Sequence, residues 1–88
     1  MYRYLSVAGQ FAFKNLDKDA NSIFHTGFWT IADPNKEYNA YTQYGVLLSL
    51  VAGGSYPYLQ IVFERGSAGL FYRTSNANRE WSQWLALL

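Results

Sequence analysis

A mainly β domain with one short helix is what this sequence predicts, and three observations carry that expectation. Apolar and polar residues alternate in short segments, most clearly over Tyr58–Arg65. Clusters of Gly, Pro, Asn and Ser separate those segments at Asp33-Pro34-Asn35, Gly53-Gly54-Ser55, Gly66-Ser67-Ala68-Gly69 and Ser75-Asn76-Ala77-Asn78. One stretch only, Leu16, Ala20, Ile23 and Phe24, has the i, i+4, i+7, i+8 spacing of a helix face. The 88 residues suit one domain near the small end of what folds alone, and no cysteine is present to staple it. Burial must hold it together, with 50% hydrophobic and 19% aromatic residues to do so.

Residues 1–14 read as an N-terminal strand or connector, with Arg3, Leu5 and Val7 facing one way and Tyr2, Tyr4 and Ser6 the other. Residues 15–88 form the body of the domain. Asn15 or Asp17 can cap the helix by accepting backbone N–H bonds, and Gly27 is a plausible stop. Phe28–Ile31 follows as a strand, and Lys36–Thr42 as a polar loop rich in Tyr. Tyr44–Val51 is apolar on both faces at Val46-Leu47-Leu48, which predicts a central strand. In Tyr58–Arg65 we expect Leu59, Ile61 and Phe63 inward and Gln60, Val62 and Glu64 outward. Leu70–Thr74 comes next. In the last strand, Trp81–Leu87, alternation places Trp81 and Trp84 on opposite faces.

The connections look too short for parallel crossovers, so the expected sheet is small, twisted and antiparallel, with about five strands and the helix packed against it. The predicted core is Leu16, Ile23, Phe28, Ile61, Phe63 and Trp81.

Seven basic and six acidic residues are spread along the chain for a net charge of +1, which is no clustered basic footprint for nucleic acid. No apolar run approaches the length that spans a membrane, so no membrane insertion is expected. Met1–Ser6 lacks a charged segment followed by a long apolar core, which predicts no secretory signal and synthesis in a cytoplasm. Asp17-x-Asp19-x-Asn21 begins like a calcium loop, but Ser22 stands where Gly is needed and Phe28 where the bidentate Glu belongs. His25 is the single histidine, and no nucleophile motif or carboxylate pair accompanies it. The expectation is no enzyme, no metal and no cofactor.

The order of features from Asn15 to Leu87 is distinctive: Asn15-Leu16-Asp17, Thr26-Gly27-Phe28-Trp29, Gly45-Val46-Leu47-Leu48-Ser49-Leu50, Leu59-Gln60-Ile61-Val62-Phe63, Leu70-Phe71-Tyr72-Arg73-Thr74 and Trp81-Ser82-Gln83-Trp84. It resembles the pyocin-knob family, small domains of tail fibres and receptor-binding proteins in bacteriophages and phage-tail-like bacteriocins. The Tyr-Arg-Thr strand followed by Trp-Ser-x-Trp is the most specific part. The resemblance implies a non-enzymatic attachment module on a virion tail or fibre, made in the host cytoplasm. It also implies a homo-oligomer, with a trimer favoured, and a bacterial surface glycan as receptor. The alternative is a structural trimerisation or spacer module with no ligand of its own.

Several residues carry two readings. Trp84 is either a subunit-contact residue or a platform for the apolar face of a sugar, to which an indole also offers an N–H. Tyr38, Tyr41 and Tyr44, with Asn39 beside them, either cover the sheet edge or form a recognition loop of rigid rings and adaptable amides. Arg73 either pairs with Glu64 across strands or receives an acidic sugar.

Overall fold

The computed structural model describes residues 14–52, 57–66 and 69–87. They build one six-stranded sheet whose strands neighbour one another in chain order. These are β1 (Lys14–Asn15), β2 (Gly27–Ala32), β3 (Tyr44–Val51), β4 (Tyr58–Glu64), β5 (Leu70–Ser75) and β6 (Leu85–Ala86). The mainly β class is therefore the class of the molecule. β2 to β5 form an antiparallel meander, with the apolar β3 in its interior. The predicted strand over Tyr2–Val7 and the turn residues Gly53-Gly54-Ser55 and Ser67-Ala68 lie outside the described residues.

Two expectations about the start of the domain are corrected. β1 runs parallel to β2, pairing Lys14 with Trp29 and Asn15 with Thr30, so the sheet is mixed. The segment Leu16–Thr26 approaches the dozen or so residues a crossover needs, and it crosses over one sheet face. The helix shrinks to a 3₁₀ turn at Ala20–Ser22. The backbone itself explains why. Leu16 N–H donates to the Thr30 carbonyl at 2.8 Å, which commits the segment to the sheet edge. Asp19, not Asn15 or Asp17, caps the turn by accepting the Asn21 N–H, and Ile23 is already extended. The apolar spacing still serves burial, because Leu16, Ala20 and Ile23 are buried against the sheet. Gly27 opens β2 rather than closing a helix. It lies beneath the Trp29 ring, where an added Cβ would come within 2.7 Å of Cη2.

The register aligns Trp29, Leu47, Val62 and Phe71 in one row across the sheet, and Gly27, Ser49, Gln60 and Arg73 in the next. This face is covered. The core on it comprises Leu16, Ala20, Ile23, Trp29, Ile31, Ala40, Leu47 and Val62, with Tyr38 and Trp84 packed against it. The expected facing of β4 is reversed: Tyr58, Gln60 and Val62 are buried, whereas Leu59 and Ile61 are half-buried and Phe63 is 44% exposed. Both sets on β4 are largely apolar, so alternation alone fixes the period but not which side faces in. Pairing with β3 decides it, setting Val62 beside Leu47. Of the predicted core, Leu16 and Ile23 belong to it. Phe28 and Ile61 lie half-buried on the opposite face, Phe63 is exposed there, and Trp81 is half-buried.

The last strand is the largest departure. Ser75 bridges to Trp81, while Tyr72 pairs with Leu85 and Phe71 with Ala86. Three steps along β5 are thus matched by four along the final segment, which is a bulge. The extra residue shifts side-chain parity by one, so Trp81 and Trp84 both turn to the covered face instead of to opposite faces.

Candidate functional site

Arg73 sits in the middle of the covered face and is 5% exposed. Its strand position fixes it opposite Gln60, not Glu64, so the expected Arg73–Glu64 pair does not form. Arg73 Nε donates to Gln60 Oε1 at 2.9 Å, and Gln60 Nε2 donates to the Ala20 carbonyl at 2.8 Å. This chain ties the sheet to the 3₁₀ turn above it. Because of the bulge, both indoles pack on the guanidinium, with ring centroids 4.5 Å (Trp81) and 4.4 Å (Trp84) from Cζ. Cation–π contacts of this kind strengthen as water is excluded. Trp81 is itself fixed, its Nε1 donating to the Asn21 carbonyl at 3.0 Å and its ring stacked on Phe24.

One end of the guanidinium is unsatisfied: Nη2 is buried and has no hydrogen-bond partner. Burial pulls Arg73 down to about 10, and the nearby Asp19 carboxylate opposes that shift. Arg73 is still a cation at neutral pH. An orphaned donor on a buried charge costs free energy, on the order of 1–3 kcal/mol and more for charged groups. Such a group is therefore a place to look for a missing partner.

Arg73 lines a cavity of about 250 Å³ together with Trp84, Tyr41, Thr42, Ala40, Asn39, Lys36, Asp33 and Asn21. The loop between β2 and β3 forms most of its wall, and Asp33 organises that loop. Asp33 is buried, and its carboxylate accepts the backbone N–H groups of Glu37 at 2.8 Å and Tyr38 at 2.9 Å. Asn39 Nδ2 donates to both Asp19 carboxylate oxygens at 3.1 Å, joining this loop to the crossover segment. Lys36, Asn39 and Tyr41 have φ of +54°, +55° and +71°, the left-handed region. For a bulky residue such as Tyr41 that conformation is uncommon, and strained backbone of this kind concentrates at ligand sites. The Tyr41 ring lies 4.2 Å from that of Phe71 and 6.0 Å from that of Trp84.

Of the side chains singled out in the sequence, the fold brings Trp84, Tyr41, Asn39 and Arg73 together around this cavity. Tyr38 is instead half-buried against the core. Tyr44 stands apart, under Arg65 at 5.0 Å, and lines two other depressions. Lys36, Asn21, Thr42 and Asp33 were not legible as site residues, because only the folded loop and crossover carry them to Arg73. Gln60 did leave a trace, as a polar residue at the centre of an apolar strand. The hairpin tip at Asn76–Glu80 satisfies itself, with Asn76 Oδ1 accepting from the N–H groups of Asn78 and Glu80. Among the described residues, no group of three or more His, Cys, Asp or Glu could hold a metal ion, and no helix is long and apolar enough to cross a membrane.

No family model, curated protein or solved structure matches the chain.

Proposed function

We propose that this chain is a non-enzymatic attachment module of the pyocin-knob type, carried on a phage tail or tail-like particle, that binds a host-surface saccharide in the Arg73 cavity. One observation carries this reading: Arg73, a buried guanidinium that keeps one donor without a partner, lines a cavity walled by Trp84, Tyr41 and Asn39. Aromatic walls suit the C–H faces of a pyranose, and amides suit its hydroxyls. Each site would bind weakly. Several copies on one particle would gain about 10²–10⁴ in avidity without any new contact. The test compares a monomeric and an artificially trimerised domain on a glycan array, with Trp84→Ala as control. Binding that rises on trimerisation and falls in the variant supports the proposal. No binding in either state, with cell adsorption unchanged by Trp84→Ala, would refute it.

A second reading, a structural oligomerisation module, is favoured by the opposite sheet face. Leu50, Phe63, Leu85 and Tyr44 are 37%, 44%, 46% and 38% exposed there, beside half-buried Val46, Leu48, Ile61 and Tyr72. Four strands about six residues long present about 400 Å² of flat face, the scale at which an exposed apolar patch marks an interaction surface. Further copies of the same chain are the occupant that fits, since association lets a small domain without staples bury more surface. Sedimentation of the wild type against Phe63→Ser checks this. Dissociation of an oligomer by the variant is expected, and a wild-type monomer at high concentration would exclude it.

A further inference from the structure

The saccharide reading leaves open what the ligand offers to Arg73, and the residues around the guanidinium narrow it. We propose that the Arg73 cavity selects a carboxylate-bearing sugar, a hexuronic acid or its equivalent, through an ion pair with the Arg73 guanidinium. This rests on the saccharide-attachment reading and specifies its ligand.

Four features support it. Arg73 Nη2 is buried without a partner on a guanidinium whose Nε is bonded to Gln60, and Arg73 is among the residues lining the cavity. Nε is already occupied by Gln60 and the rings of Trp81 and Trp84 pack on the guanidinium, so it cannot swing to find solvent. A guanidinium held in place in this way suits a carboxylate as its counter-ion. The charge count agrees. Among the described residues, Lys36 and Arg73 are the cations lining the cavity and Asp33 is its carboxylate, leaving a balance of one positive charge. A monoanion meets the balance of these lining residues, whereas a dianion overshoots it. The cavity's size is also suitable, since 250 Å³ corresponds to the liquid volume of about eight waters, enough for one sugar ring.

The neutral part of the sugar has its own place. Trp84 and Tyr41 flank the cavity as rings, and Asn21, Asn39 and Thr42 carry donors and acceptors at its wall. Ring faces and amides would hold D-glucose and D-glucuronate alike. Discrimination between the two is therefore the work of Arg73, with Lys36 assisting from the rim.

The experiment titrates the whole chain with D-glucuronate, D-glucose and inorganic phosphate, following the indole N–H signals of Trp84 and Trp81 by NMR. The expected result is glucuronate binding about 10–100-fold tighter than glucose, the range a hydrogen bond to a charged group supplies. Arg73→Gln should abolish the preference, so that the variant binds glucuronate no more tightly than it binds glucose. Should that buried substitution unfold the chain, Lys36→Gln at an exposed position keeps the test alive, with an expected fall of about threefold in the ratio of glucuronate to glucose affinity. Equal binding of glucose and glucuronate would overturn the acidic-sugar assignment and leave the attachment reading standing. Phosphate binding as tight as glucuronate would overturn the carboxylate choice. Absence of binding by all three would bring down both readings together.

Discussion

The two faces of this sheet are made by the same strands and differ by alternate residues, yet they solve opposite problems. The covered face buries Trp29, Leu47 and Val62 beside a polar row, Ser49, Gln60 and Arg73. The other face is more uniformly apolar, and it is the one left open, with Phe63 and Leu50 in contact with solvent. Hydrophobicity alone therefore does not choose the inside of so small a domain. What chooses it is the supply of covering groups: the crossover segment offers the Ala20 and Ile23 carbonyls to Gln60, and the bulge delivers two indoles to Arg73. Gln60 and the Arg73 Nε are tolerated inside because they arrive with partners, whereas Ser49 Oγ and Arg73 Nη2 are buried without one.

The largest contrast is expected on one strand. Leu47→Ala empties a buried site and should cost about 2–5 kcal/mol, whereas Leu50→Ala, facing the other way on β3, should cost under about 1 kcal/mol in the monomer. Chemical denaturation of both variants checks this, and equal losses would mean that the two faces are not distinguished as described. Next in size is Gln60→Leu. It fills the same space but leaves the Arg73 Nε without its partner and takes from the Ala20 carbonyl one of its two donors, so it should cost about 2–4 kcal/mol despite being more apolar. A neutral or stabilising result would show that the polar row is dispensable. A smaller effect, about 1–3 kcal/mol, is expected for Asp33→Ala, which frees the Glu37 and Tyr38 N–H groups. Hydrogen exchange should then quicken through residues 36–42 and not in β4.

Much of this fold could be read in advance, and where reading failed the reasons are specific. β3 was legible to the residue because an apolar run bounded by turn residues has little else to be. The facing of β4 was not, since Leu59, Ile61 and Phe63 make as good an apolar stripe as Tyr58 and Val62, and the choice depends on a partner strand and a covering loop. The helix was overestimated because an apolar spacing of 16, 20, 23 and 24 is equally served by an irregular segment pinned by Leu16 and Asp19. Trp81 and Trp84 were separated by assuming unbroken alternation, and a single extra residue in the ladder reunites them. The candidate site was half visible: rings and amides in the β2–β3 loop and Arg73 on its strand could be named, but not that Asp33, Lys36 and the bulge would gather them.

The measurement that bears most directly on this account is the NMR signal of the Arg73 Nε–H. Held beside two indole rings and bonded to Gln60, it should be resolved, shifted upfield by ring currents and slow to exchange, and it should move on addition of glucuronate. A signal at the position of a solvated arginine, exchanging freely and indifferent to glucuronate, would contradict it.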